Sequence, residues 1–242
     1  MCYTSAVITL GIETSSPHGS VALLNGEHLL ARQSHEEPNA HAERMMALVE
    51  AAFEKARLRK DQLQRIAVGV GPGSFTGLRV GLALAQGLSL GLGVPLVGVS
   101  SLAVVAHGAK RIWKEQASES TEPIPWFVPV LDARRDELFF AAYDVEDREQ
   151  IAPTTLPVSE AERRIAEQCA GRPLKWCGSA LQLLARSDSL GASFPDAEDA
   201  GRLAQRIVPQ HEVHLQYLRD ADAKRPCLPP NPLPPSAPPA GT

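Results

Sequence analysis

The stretch GVGPGSFTGLRVG, residues 69–81, decides how the rest of the chain is read. Its glycines suggest a nucleotide loop, but their spacing fits neither common kind. A P-loop places a lysine directly after its last glycine and a hydroxyl after that, whereas Gly77 is followed by Leu78 and Arg79. The dinucleotide fingerprint sets glycines at the first, third and sixth places, and Gly71, Gly73 and Gly77 put the last one residue too late. What remains is a turn that opens a helix. Ser74 or Thr76 serves as its cap, and the free amides at the helix start leave room for a weakly held anion.

Past the turn, Gly77, Gly81, Ala85 and Ser89 recur every four residues, so one face of the helix is nearly bare backbone. Leu78, Val80, Leu82, Leu84, Leu88 and Leu90 make the rest apolar almost all round, which requires burial on more than one side. Either another element of this chain covers the second side or a second protein does. No charge occurs from Val80 to Ser101. The helix is expected from about Thr76 to Leu90, roughly 22 Å long against about 30 Å of hydrocarbon, so a membrane span is not expected. Gly91, Gly93 and Pro95 then stop it.

Upstream, AVITLGIE, GSVALLNG and HLLARQS are short apolar runs split by Pro17-His18-Gly19 and Asn25-Gly26, and they predict a meander of strands. From Asn39, a candidate N-cap, to Ala56 the period becomes helical. Met45, Leu48, Val49 and Ala52 share one face, and Met46, Val49 and Phe53 the adjoining one. RIAVGV and PLVGV read as buried strands and Ser101 to Ala109 as a helix, giving the order β-β-β-α-β-α-β-α. Lys110 to Pro125 is polar and reads as a surface loop or linker. WFVPVLDARR and DELFFAAYDV then predict a second hairpin, with helices near Ser159 to Ala170 and Ala200 to Val208. An apolar strand ending in an acid and small residues occurs twice, as ITLGIETSS and VPVLDARR, which points to two lobes on one plan. From Pro226 the chain reads PCLPPNPLPPSAPPAGT, expected to be a disordered tail with a leaning to polyproline II.

The 242 residues, 44% hydrophobic and 21% charged, have an ordinary globular composition and suit one large domain or two small ones. A net charge of -4 supplies no basic field, so nucleic acid is not expected as a solitary partner. Cys2, Cys169, Cys177 and Cys227 form no CxxC pair, and the N-terminus lacks the pattern of a secretory signal, which together suggest a cytoplasmic address. His41 is followed four residues on by Met45, so a zinc-peptidase helix is only half made, and His211 with His214 lacks a third ligand. No Ser-His-Asp or Cys-His arrangement stands out. Glu13 and Asp132 could hold a magnesium nucleotide between two lobes. Against this, Glu13-Thr14-Ser15-Ser16 has no glycine at the tight turn, and Arg134 and Arg135 would crowd a triphosphate. Salt-bridged surface groups are the alternative.

GPGSFTGLRVGLALAQGL, with GIETSSPHGSVALL before it and GVSSLAVVA, LDARRDELFFAAY and YLRDADAK after it, resembles the bacterial TsaB (YeaZ) family from about Val7 to Lys224. The resemblance implies an α/β, two-lobed actin/Hsp70-like ATPase (ribonuclease H-like) fold, each lobe a mixed sheet with helices. The lobes are expected at 1–109, carrying the dimerisation helices, and at 110–225, with the proline-rich tail at 226–242. The implied role is a noncatalytic scaffold without catalytic, cofactor or metal residues of its own. It binds the paralogue TsaD and, with the ATPase TsaE, supports formation of threonylcarbamoyladenosine beside the anticodon of tRNAs reading codons that start with A. The tRNA is met only through the complex, and the same surface forms a homodimer when the partner is absent. The interface positions carried over are Met45, Leu48, Val49 and Ala52 on one helix and Gly77, Gly81 and Leu84 on the other. Glu13 replaces the family's usual aspartate, which weakens nucleotide binding further; Lys114 to Thr121 looks inserted and the tail is extra. The alternative function is a small ATP-binding enzyme of the same fold, with Glu13 and Asp132 on magnesium.

Overall fold

The computed structural model describes residues 6–37, 40–116, 123–169, 171–186, 190–191, 193–210 and 212–218. The three N-terminal apolar runs form the expected meander of β1 (Ile8–Glu13), β2 (Gly19–Asn25) and β3 (His28–His35). The second turn closes at Gly26, whose φ of 58° suits glycine. There follow α1 (His41–Ala56), β4 (Arg65–Gly71), α2 (Phe75–Leu92), β5 (Leu96–Ser100) and α3 (Ser101–Gln116). The first sheet has the order β3-β2-β1-β4-β5, antiparallel through the meander and parallel from β1 to β5. Strand alternation assigns its two faces: Leu10, Ile12, Val21 and Leu23 meet α1 and α2 in one core, and Thr9, Gly11 and Glu13 turn to the other side.

A second sheet is built from β6 (Trp126–Arg134), β7 (Glu137–Tyr143), β8 (Glu149–Pro157) and β9 (Leu174–Cys177), with α4 (Val158–Gln168) between the last two. Its order, β8-β7-β6-β9, with two antiparallel pairings and one parallel, repeats the first four places of the first sheet. This duplication is the two-lobed, ribonuclease H-like plan that the two similar strand endings had suggested. On the second sheet Val128, Val130, Leu138 and Phe140 pack on Ala161 and Ile165 of α4. The opposite face, with Phe127, Leu131 and Phe139, receives Leu102, Val105 and Ala109 of α3.

The lobes are not consecutive in sequence. Helix α5 (Ala197–Ala204) follows the second sheet, yet its Ala200, Leu203 and Ala204 pack with Ala67, Val97 and Val99 of the first. The Gln216 amide then donates to the Val70 carbonyl at 2.8 Å, and Val213 joins the α1–α2 core. A cut between 109 and 110 therefore does not follow the packing, because the segment around 196–218 belongs physically to the first sheet.

Other expectations shift for local reasons. Helix α1 begins at His41, with Ala40 before it offering no side-chain cap, and Asn39 lies outside the described residues. Helix α2 is 18 residues, longer than expected, and by length and composition alone it could cross a membrane. Its Gly77, Leu78, Gly81 and Ala85 are nevertheless buried against the chain's own sheet. Helix α3 runs on to Gln116 because Lys110, which reads as a surface residue, is buried and paired with Asp147. Strands β8 and β9 were not anticipated: β8 is half exposed and contains Pro153, and β9 has four residues. Residues 117–122 and the tail lie outside the described residues.

Candidate docking surface and interlobe cleft

The bare face of α2 has an intrachain use. Ser74 caps the helix, its Oγ accepting from the Gly77 amide at 3.2 Å, as expected of one of the two candidate caps. The Ser74 amide donates to the Ser15 carbonyl at 2.7 Å, and the Thr14 hydroxyl donates to the Gly77 carbonyl at 2.8 Å. The turn after β1 thus rests on the first two turns of α2. A Cβ at Gly77 would overlap the Thr14 carbonyl oxygen, and one at Gly81 the Thr14 hydroxyl. Close approach, rather than a phosphate, accounts for these glycines.

This revises the docking surface residue by residue. Met45 is 1% exposed, and Val49 and Ala52 are fully buried in their own core, so they hold α1 to the sheet. Gly77 and Gly81 face Thr14. Of the seven positions carried over, only Leu48 and Leu84 stay half-exposed beside that core. The open side of the pair consists instead of Met46 and Ala47 on α1 and Ala83, Gly87, Leu90 and Gly91 on α2. Leu90 is 87% exposed, and a Cβ at Gly87 or Gly91 would meet nothing within 4 Å. The signal for these residues was present: at 100° per residue, Ala83, Gly87 and Leu90 lie opposite Gly77, Gly81 and Ala85.

Between the lobes lies a cleft of about 1150 Å³. Ser15 and Ser16 of the β1–β2 turn, the start of α2, Asp132 and Phe139 of the second sheet, and Tyr217 line it. Asp132 is held by Arg134, whose amide donates to Oδ1 at 2.7 Å and whose guanidinium lies 3.2 Å from Oδ2. Glu13 is not part of the lining. It is fully buried against Gly69, with Oε1 accepting from the Ser15 amide at 2.7 Å and Oε2 without a hydrogen-bond partner. Burial pushes its carboxyl pKa up, outweighing the hydrogen bonds from Ser15 that would lower it. A carboxyl kept neutral behind the wall is a poor magnesium ligand, so the Glu13 and Asp132 pair does not assemble at the cleft. Among the described residues no group of three or more His, Cys, Asp or Glu is placed to hold a metal. His41 borders the cleft with Nε2 2.9 Å from the Ser16 carbonyl oxygen and Nδ1 3.0 Å from His35 Nε2, so its ring is engaged on both sides.

The rim is aromatic. The Arg79 guanidinium sits 3.8 Å over the centre of the Phe75 ring, and its Nε donates to the Tyr217 hydroxyl at 3.3 Å. The Phe75 and Tyr217 rings are 5.3 Å apart.

Comparison with known proteins places this architecture. A family profile described as TsaD, tRNA N6-adenosine threonylcarbamoyltransferase, matches residues 31–170. The tRNA threonylcarbamoyladenosine biosynthesis protein TsaB of Escherichia coli (strain K12) is 34% identical over 140 residues, covering 57% of this chain and 55% of that protein. The chain thus spans about half the length of that relative. An uncharacterized protein of Mycobacterium tuberculosis (strain ATCC 25618 / H37Rv) is 30% identical over 217 residues, 89% of this chain and 93% of its own length. Among solved structures, an uncharacterized Pseudomonas aeruginosa protein with similarity to peptidase YEAZ superposes with a TM-score of 0.71 at 28% identity, covering 88% of this chain and 100% of that one. Sequence, strand order and superposition agree, and the chain belongs to the TsaB (YeaZ) family.

Proposed function

We propose that this chain is a noncatalytic subunit of tRNA threonylcarbamoyladenosine formation that docks a TsaD-type protein through the outer side of α1 and α2. The observation that carries the reading is the two-sidedness of α2. One side is buried on the first sheet, and the other, with Ala83, Gly87 and Leu90, is apolar and open. A fully buried leucine contributes about 1.5–3 kcal/mol, so covering Leu90 and its neighbours favours association. The open glycines let a facing helix approach closely. In the absence of the TsaD-type protein a second copy of this chain covers the same side. A TsaE-type ATPase and the tRNA join through the partner, and the setting is cytoplasmic. The neutral Glu13 and the Asp132 tied to Arg134 support a role without chemistry of its own.

Gly87→Arg tests the surface without touching the fold, since the new side chain starts in open space. The variant is expected to melt like the unaltered chain but to lose co-elution with the TsaD-type protein, and alone to scatter light as a monomer. Threonylcarbamoyladenosine in tRNA, measured by mass spectrometry of digested tRNA from cells carrying only the variant, should fall at least about tenfold, as expected when an interface loses roughly 1.4 kcal/mol or more. Unchanged co-elution refutes the surface.

A further inference from the structure

The docking reading leaves the interlobe cleft unused, and its rim does not look like a surface meant for water. Phe75, Phe194 and Tyr217 are 39%, 36% and 47% exposed and all three border it, with Arg79 plated on the Phe75 ring. Gln182 and Gln216 add side-chain amides to the same lining. Exposed aromatic rings interleaved with hydrogen-bond donors are the means by which proteins hold polyproline II segments, whose carbonyls have no internal partners.

The sequence carries such a segment. Prolines occupy positions 226, 229, 232, 235 and 238, one at every third residue. Polyproline II has three residues per turn, so these five prolines fall along a single edge. The chain also leaves the described region in the right place, because Tyr217 and Leu218 themselves line the cleft. Seven residues, 219–225, separate Leu218 from Pro226 and reach at most about 25 Å, which keeps the segment near the cleft mouth.

We propose that residues 226–242 of this chain dock as a polyproline II strand into its own interlobe cleft, with the proline edge laid across Phe75, Phe194 and Tyr217. Arg79, Gln182 and Gln216 supply donors to the strand's carbonyls. Tethering favours this occupant over a proline-rich segment of another protein, since a short linker holds the tail at roughly millimolar local concentration. The inference does not rest on the docking reading, which concerns the opposite side of α2.

The test uses the full chain and a fluorescein-labelled peptide of residues 226–242, followed by fluorescence anisotropy. In one variant Pro229, Pro232 and Pro235 are replaced by serine, which empties the cleft of its own tail. That variant is expected to bind the labelled peptide at least about tenfold more tightly than the unaltered chain, where the tethered tail competes. Adding Tyr217→Ala, or separately Phe75→Ala, should weaken binding about tenfold or more, with circular dichroism melts reporting that each variant is folded. A peptide with the same three prolines changed should not bind. Equal affinity for the two full chains, no peptide binding, or binding indifferent to both aromatic substitutions overturns the proposal. So does a dimer, seen by light scattering, that the three serine substitutions convert to monomer, since the tail would then occupy a second copy.

Discussion

Glu13 is an acid where the fold leaves no water to solvate it. Its folded-state pKa is raised above the usual 4.5 because burial outweighs the hydrogen bonds from Ser15. The folded chain therefore prefers the protonated form. The stability owed to this group is fully present below the unfolded pKa and is lost as pH rises through the raised folded value. Glu13→Gln removes that loss. The variant should match the unaltered chain in thermal melts near pH 4 and exceed it increasingly toward pH 8, each kcal/mol corresponding to about 2–4 °C for a chain of this size. A melting difference that is constant with pH contradicts the burial argument. The residue was legible in the sequence as an acid at a strand end, but not as a buried one, since the side of the sheet it faces is set by α5, almost two hundred positions away.

At the scale of elements, α2 shows what a repeat of small residues does and does not reveal. Glycine and alanine at every fourth place mark a close approach, and the structure contains one. The occupant is Thr14 of the same chain rather than a neighbouring helix, because periodicity defines a face and is silent about what meets it. Gly81→Ala is therefore a stability variant, expected to cost about 1–3 kcal/mol by overpacking in urea unfolding. Combined with Thr14→Ala, which deletes the hydroxyl it collides with, it should cost less than the sum of the two single changes. Strict additivity would place the collision elsewhere. Strands β1 to β7 were legible because hydrophobic runs and turn dipeptides coincide there. Strand β8 was hidden by Pro153 and its half-exposed sides, and β9 by its length.

Across the whole molecule, one carboxylate joins three parts of the chain. Asp147, in the turn after β7, pairs with Lys110 and lies 3.1 Å from His107 Nδ1, both on α3, and accepts from Arg206 after α5 at 2.8 Å. Burial alone would raise its pKa, but the His107 hydrogen bond and the Lys110 charge prevail and hold it below the usual carboxylate range. Its contribution is present above the unfolded value of 3.8 and is lost as pH falls through the lowered folded value. Asp147→Ala strands a buried ammonium, and unfolding in urea at pH 7 should show a loss of about 3–5 kcal/mol that shrinks in acid. A loss under 1 kcal/mol would mean that the cluster is solvated. The two-lobed plan could be read from the doubled strand endings, whereas this knot could not, since Lys110 and Asp147 lie in stretches that look like ordinary polar surface.

The return of α5 to the first sheet also has a consequence for how the protein is made. Strands β1 to β5 leave the ribosome first, with the Thr9 and Gly11 side of the sheet waiting for a cover that has not yet been translated. About 100 residues separate Ser100 from Ala197, which takes roughly 5–20 s at common elongation rates of about 5–20 residues per second. During that interval the oldest part of the nascent chain is the least finished, and chaperones that recognise bare apolar sheet would find it there rather than at the growing end.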